Sequence, residues 1–273
     1  MKVEILMSCM HQQDDTLVQK SHITGDVLVI NQCNETDERH YPTHNGTARM
    51  ICTTDRGLTR SRNLAIETSC ADICLLCDDD EQFVADYEKQ ILSAYKAVSD
   101  ADVIILKMLN REPSFPDKIQ RLRFPKTMKV SSWQISFRRE SLIRSGVRFD
   151  ELLGAGTGNG AEEELKFLLD CQRNGLKIYY VPNAIASVGQ TVSTWFDGFN
   201  ESFFENRGAT TRYILGAPLA FVYGVYYVIK KRAMYAERLT PKKAMSALLR
   251  GMKENKITRQ RKALRNGLKG SKT

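Results

Sequence analysis

The sequence predicts an α/β protein, with a mostly parallel central sheet flanked by helices and a helical extension at its C-terminal end. Two observations predict it. Short apolar runs alternate with helix-length amphipathic stretches as far as Val181, which is the signature of β-α-β units. After residue 200 the character changes to a charge-free apolar run and then a strongly basic stretch.

Residues 3–9, 27–30, 48–52, 73–77 and 103–107 are short apolar runs that read as strands. Residues 58–69 and 85–99 read as the intervening helices, the second with Tyr87, Ile91, Tyr95 and Val98 along one face. Residues 110–130, with three prolines and many charges, read as a long surface loop. Residues 131–137 are a further strand candidate. Residues 152–164, "LLGAGTGNGAEEE", place four glycines ahead of three glutamates and then return to helical spacing. Gly175 reads as a helix C-cap and residues 177–181 as a closing strand. The whole is a Rossmann-like arrangement, in which ligands bind beyond the carboxyl ends of the strands.

The chain has 273 residues, enough for one large domain or two small ones. Its formal charge of +8 is unevenly spread. Residues 230–273 carry fifteen Lys or Arg against Glu237 and Glu254, so the remainder is mildly acidic, about −5. The high pI therefore belongs to the tail. The acidic body offers no basic groove and the tail a single aromatic, Tyr235, so nucleic acid is not an expected partner. Seven cysteines, several inside apolar runs, fit buried free thiols better than a disulfide framework. Cys70, Cys74 and Cys77 lack a second Cys/His pair at zinc-site spacing. The N-terminal "MKVEILMSCMHQQDD" reads as a first strand rather than a signal peptide.

Three stretches could carry chemistry. "CLLCDDDE", residues 74–81, runs a buried-looking strand into Asp78, Asp79, Asp80 and Glu81. Adjacent carboxylates repel, and a divalent cation would relieve them: Mg²⁺ and Mn²⁺ take one or two carboxylates together with phosphate oxygens. The competing reading is a solvated turn capping a helix that begins near Glu81. "RGLTRSRNLAI", residues 56–66, offers Gly57 for a tight turn, Thr59 or Ser61 as a cap, and Arg60 and Arg62 at a helix start. Such an end binds diphosphate, or is merely a solvated basic face. In "GNGAEEELKFLL" Glu162, Glu163 and Glu164 fall on the first turn of a helix, about 100° apart, so they differ in role. One could be a general base, and all three could simply favour the helix dipole.

These three elements, in this order, resemble the family 2 glycosyltransferases of GT-A fold over about residues 1–210. "GLTRSRNLAI" looks like the family's arginine-bearing helix start and "CLLCDDDE" like its strand and D-x-D motif. The segment 137–182 is similar to its acceptor side with the Glu-Asp motif. The resemblance implies inverting transfer of a sugar from a nucleoside-diphosphate-sugar, most simply a UDP-sugar, with Mn²⁺ or Mg²⁺ as cofactor. By position it implies that Ser8, Arg62, Asp78 and Asp79 meet the nucleotide-sugar, that Asp80 binds the metal, and that Glu81 is structural. Glu164, or Glu163 before it, would be the catalytic base. Trp133 and Trp195 are candidate acceptor platforms, although core packing is the better reading for most of the aromatic stretch Trp195, Phe196, Phe199, Phe203 and Phe204.

Three departures stand out. The base position holds Glu where the family often has Asp. "INQCNETD", residues 30–37, lacks the usual adjacent aspartate, which leaves Asn31 and Gln32 to read the base. Beyond Val181 the expected histidine is absent, with Gln190, Ser193 or Thr194 as substitutes.

Residues 1–210 are thus expected to form the glycosyltransferase domain and residues 211–273 a membrane-associating helical tail. Residues 214–229 are free of charge but too short to span a bilayer. Met245, Leu248, Leu249 and Met252, among lysines and arginines, form a basic amphipathic helix suited to an anionic membrane surface. The expectation is a peripheral protein on the cytoplasmic face of the cell membrane. Its acceptor would be a saccharide, lipid-linked in surface polysaccharide or glycan synthesis, and the chain would work as a homodimer. Rival readings are a sugar nucleotidyltransferase, whose glycine-rich basic phosphate loop "SCMHQQDD" does not supply, a nucleic-acid binder, and a non-catalytic membrane scaffold.

Overall fold

The computed structural model describes residues 1–160, 162–189 and 198–270. It divides into two compact units, Met1–Phe149 with Glu164–Thr191, and Asp150–Glu163 with Val192–Thr273.

The first unit is built in the order β1 (Val3–Met10), α1 (Thr16–Lys20), β2 (Asp26–Gln32), β3 (Asp37–Pro42), β4 (Thr47–Thr53), α2 (Leu58–Thr68), β5 (Ile73–Cys77), β6 (Glu81–Phe83), α3 (Tyr87–Ala97), β7 (Val103–Met108), β8 (Gln120–Leu122), β9 (Ile135–Arg138), α4 (Arg139–Ser145), α5 (Glu163–Arg173) and β10 (Ile178–Val188). All ten strands form one sheet in the order β3-β4-β2-β1-β5-β9-β7-β10-β6, with β8 also on β10. Alternation along each strand sorts side chains to two faces. Ile5, Met7, Val27, Val29, Leu75 and Leu106 meet Tyr87, Ile91, Tyr95 and Val98, so the periodicity read in the sequence is the packing face of α3. Leu6, Leu28, Cys74, Leu76 and Ile105 point the other way, toward Ala65 of α2, Leu142 of α4 and Phe167 of α5.

The sheet is mixed rather than mostly parallel. β1 runs parallel to β2 and β5, β2 to β4, and β7 to β10. β3, β6, β8 and β9 all pair antiparallel. β3, "DERHYP", carries no apolar alternation because it is an exposed edge, where charge and proline discourage further pairing. Residues 131–137 hold a short 3₁₀ turn, Ser132–Gln134, before β9. The 110–130 loop is anchored by β8 and by buried Phe115 and Leu122.

The second unit contains α6 (Glu201–Leu215), α7 (Ala217–Lys230), α8 (Arg232–Tyr235), α9 (Pro241–Glu254) and α10 (Lys256–Gly270). α6 runs unbroken through residues 210 and 211, where the sequence suggests a boundary. Gly216, at φ 77°, ends α6 and opens α7, so the apolar run 214–229 is two helices rather than one. The stripe expected to face a membrane is instead core: Ala244, Ala247, Leu248 and Met252 are buried with Phe204, Tyr227 and Tyr235, and Met245 packs partly against them. Leu249 is the member of that stripe left exposed.

Candidate active site

The ends of β1 and β5 bring the first cluster together. Met7 pairs with Cys77, the last residue of β5, so Asp78 leaves the sheet beside Ser8, which stays paired with Ile30 of β2. α2 lies over this edge with an unusual polar inner face: Thr59, Ser61, Arg62 and Asn63 are all buried. Gly57 is its N-cap, at φ 123°, and donates its N–H to Gln32 Oε1 at 2.7 Å. No side chain caps the helix. Ser61 does not cap; its hydroxyl donates to Ser8 Oγ at 2.8 Å.

Arg62 is the centre of the cluster. Its side chain is 1% exposed, lies over the Phe149 ring at 5.4 Å, and donates from Nη2 to Asp78 Oδ1 at 2.8 Å. Ser132 donates to the other Asp78 oxygen at 3.0 Å. Asp78 is thereby fixed in orientation by two donors, one of them charged. Asn63 holds Phe149 from the side, giving and receiving hydrogen bonds with its backbone at 3.0 and 2.9 Å. Phe149 stacks on Phe167 of α5 at 4.2 Å with the rings nearly parallel. Sequence reading missed Ser132, which belongs to no local motif, and passed over Asn63 although it follows Arg62 inside the 56–66 stretch. Only the fold brings Ser132 across 54 positions to Asp78.

The four carboxyl groups of residues 78–81 have distinct environments. Glu81 opens β6 rather than a helix, so the helix-capping reading fails: its backbone is committed to β10, opposite Val188. Its Oε1 accepts the Asp78 N–H at 2.7 Å, while Oε2 is buried without a hydrogen-bond partner. Burial, and then Asp78, push its pKa well above the ordinary glutamate value, favouring the neutral acid. Asp79 and Asp80 are also raised, first by desolvation and then by their acidic neighbours. Among the described residues no salt bridge reaches either one. Asp80 is pinned through its backbone, whose carbonyl accepts Gly189 N–H at 2.7 Å. A side chain at 189 would crowd that carbonyl, with a Cβ only 3.1 Å away.

This donor set fits a hard divalent cation. Two carboxylates without a salt bridge remain once Asp78 is spoken for, Asp80 partly offset by the charge of Arg111. Hard cations accept one or two such ligands and complete their shell with water and phosphate. Asp80, with Asp79 beside it, is the group that would hold the ion.

Asn31 and Gln32 do not read a base. Asn31 is fully buried, its amide donating to Gln12 O at 2.8 Å and accepting from Gln12 N at 3.0 Å, and Gln32 is spent on Gly57. Trp133, next to Ser132, is partly buried against the sheet's α3 face. Gln190, Ser193, Thr194, Trp195 and Phe196 lie outside the described residues. Phe199, Phe203 and Phe204 pack in the second unit's core, with Phe203–Phe204 and Phe204–Tyr235 in edge contact.

The three glutamates separate as the 100° spacing requires. Glu162 precedes the helix at φ 83°, and its carboxylate is bound by Arg207 at 2.6 Å. It is structural. Glu163 and Glu164 open α5, four and three residues before Phe167, and therefore flank the direction of that ring on the helix surface. Glu163 is buried and Glu164 half-buried.

No family model matches the sequence, and no curated protein matches it. Solved structures do. The chain is similar to S. aureus TarS residues 1–349 at 13% identity, covering 92% of this chain and 81% of that one with a TM-score of 0.57. Against the TarS 1–349 complexes with UDP and with UDP-GlcNAc the identity is 14% and the TM-score 0.61 in both cases. Coverage of this chain is 92% in both, and of those chains 81% and 82%. It spans 46% of the longer TarS chain. At such identities the likeness defines a fold class: a mixed α/β, GT-A-like architecture shared with TarS.

Proposed function

We propose that this protein is a metal-dependent, inverting glycosyltransferase that moves a sugar from a nucleoside-diphosphate donor, a UDP-sugar, to a saccharide hydroxyl. The observation that carries the reading is the Asp78–Arg62 pair beside Asp79 and Asp80, whose pKa values are both raised, at the strand ends. The architecture it sits on is shared with TarS, which has been solved with UDP and UDP-GlcNAc.

Asp78, oriented by Arg62 and Ser132, and Ser8 contact the nucleotide, with Asp79 beside them. A Mn²⁺ or Mg²⁺ ion held by Asp80 supplies charge neutralisation at the diphosphate. The base, Glu164 or Glu163 one position earlier, accepts the proton of the acceptor hydroxyl as its oxygen attacks the anomeric carbon. The bond from that carbon to the diphosphate oxygen breaks, its electron pair leaves with the nucleotide, and configuration inverts. Trp133 and Trp195 are the aromatic candidates for stacking on acceptor sugar.

The acceptor is a lipid-linked saccharide reached at the inner face of the cell membrane, where the protein works as a peripheral homodimer. α7 supports surface attachment better than α9. Leu219, Phe221, Val222, Tyr226 and Ile229 are exposed along it, and Lys230, Lys231 and Arg232 follow. Among the described residues no helix is long and apolar enough to cross a membrane.

A screen of nucleotide-sugars for binding and hydrolysis, with and without Mn²⁺ or Mg²⁺, tests the donor half. Metal-dependent turnover that falls at least about 100-fold in Asp80→Ala is expected. Failure of every nucleotide-sugar to bind, with or without metal, overturns the reading.

A further inference from the structure

The loop after β2 brings together groups that the transfer reaction does not use. Sγ of Cys33, Sγ of Cys52 and a carboxylate oxygen of Glu35 lie within 4.8 Å of one another. Among the described residues no other three Cys, His, Asp or Glu side chains meet this closely. Parallel pairing creates the convergence: Asn31 stands opposite Cys52, and Cys33 N–H donates to Thr53 O at 2.9 Å. Cys33 therefore leaves β2 beside the end of β4, and Glu35 follows two residues on. Both thiols are buried and Glu35 is half exposed, so the cluster has one open side.

Burial favours the neutral Cys52 thiol, and neighbouring Asn31 opposes it. Asn31 Nδ2 donates to Cys52 Sγ at 3.5 Å, a second-sphere bond of the kind that orients a metal ligand. Arg39 pairs with Glu35 and is itself anchored by Asp37. Two thiolates and a carboxylate carry three negative charges, of which a divalent cation offsets two, with Arg39 shared between Glu35 and Asp37. Tetrahedral bonds of about 2.3 Å to sulfur and 2.0 Å to oxygen set ligand atoms about 3.5–3.8 Å apart. The cluster must therefore contract by no more than about 1 Å, which exposed Glu35 can accommodate.

We propose that Cys33, Cys52 and Glu35 bind a divalent cation of the zinc class, with the fourth position open to water. Each thiol loses its proton to solvent as its sulfur lone pair joins the cation. Two soft donors exclude Mg²⁺, so this site is chemically distinct from the hard-oxygen site at Asp80. Occupancy would clip the β2–β3 loop to the end of β4.

Co²⁺ titration of the full chain is the test, in a Cys70→Ser background because Cys70 is the exposed thiol. The expected result is a sulfur-to-cobalt charge-transfer band saturating at one equivalent, displaced by Zn²⁺ and unaffected by excess Mg²⁺. Cys33→Ser with Cys52→Ser should abolish the band. Glu35→Gln, at a half-exposed position that does not threaten folding, should keep the band and weaken Co²⁺ binding more than about tenfold. Absence of a thiolate band, or an affinity unchanged by Glu35→Gln, overturns the proposal.

Discussion

Arg62 and Asp78 form an ion pair of unequal burial: the guanidinium is 1% exposed and the carboxylate 29%. That asymmetry decides which partner matters more for stability. Removing Asp78 takes a carboxylate away from a buried cation, whereas removing Arg62 leaves a carboxylate that still reaches water and Ser132. Breaking a fully buried pair costs about 3–5 kcal/mol. Asp78→Ala is therefore expected near the lower end, about 3 kcal/mol, and Arg62→Met at less, since Met keeps contact with Phe149. Urea unfolding of both variants checks this, and equal losses would show that the cation is not the costly member.

Glu81 makes stability depend on pH in a definite direction. Its folded pKa is raised well above the usual 4.5, so between those values the unfolded chain has given up a proton that the folded chain retains. The unfolded state then binds fewer protons, and stability falls as pH rises, by up to about 1.4 kcal/mol per pH unit. Asp79 and Asp80, also raised, act in the same direction. Glu81→Gln preserves the acceptor for the Asp78 N–H and removes the proton, so its stability profile should be flatter above about pH 4.5. Denaturant midpoints at several pH values would reveal this, and identical slopes in both proteins would mean that Glu81 ionises freely.

What the sequence disclosed follows from where the information lies. β1, β2, β5 and β7 are two-sided core strands, so their apolar runs mark them directly, and β4 shows as an alternation of buried and half-buried residues. β3 and the antiparallel strands β6 and β8 are short or exposed, and register with distant partners, not composition, makes them strands. Asp78 and Arg62 were legible as members of motifs. Their pairing and the Ser132 contact were not, because those depend on the sheet bringing β9's approach beside β5. The amphipathic pattern of α9 was read correctly as a helix and wrongly as a membrane face, since a periodic stripe does not say what covers it.

Glu162 and Arg207 supply a second buried pair, with Arg207 also stacked on Tyr227 at 4.2 Å. Glu162→Ala strands the guanidinium and should lower the melting temperature of the C-terminal helices, with a cost of about 3 kcal/mol. Adding Arg207→Met should recover much of the loss, because an apolar pair avoids desolvating either charge. Calorimetry on the single and double variants decides it; additive losses would argue against the pair.

Gly208 and Gly251 mark where α6 and α9 touch. A Cβ on Gly208 would lie 2.0 Å from Leu248 O, and one on Gly251 would lie 1.8 Å from Glu205 O. Helix propensity alone favours alanine at each site by about 0.5–1 kcal/mol. Overpacking against backbone costs about 1–3 kcal/mol or more, so the clash wins. Gly251→Ala should therefore destabilise, and a gain in melting temperature would show that the helices have room to part.

α7 divides cleanly between core and surface. Ala220, Gly224, Tyr227 and Val228 are buried, while Leu219, Val222, Tyr226 and Ile229 recur on the outer side at helical spacing. Burying one such side chain fully in an apolar medium is worth about 1.5–3 kcal/mol, and each nearby Lys or Arg adds about 1 kcal/mol at an anionic surface. Val222→Glu with Ile229→Glu should accordingly weaken binding to anionic vesicles at least tenfold, roughly the loss of one buried side chain. Both positions are exposed, so folding is spared. A truncation near Thr211 would cut α6 in the middle and confuse misfolding with lost attachment. Vesicle sedimentation of the point variants avoids that confusion, and undiminished binding would move the membrane contact away from α7.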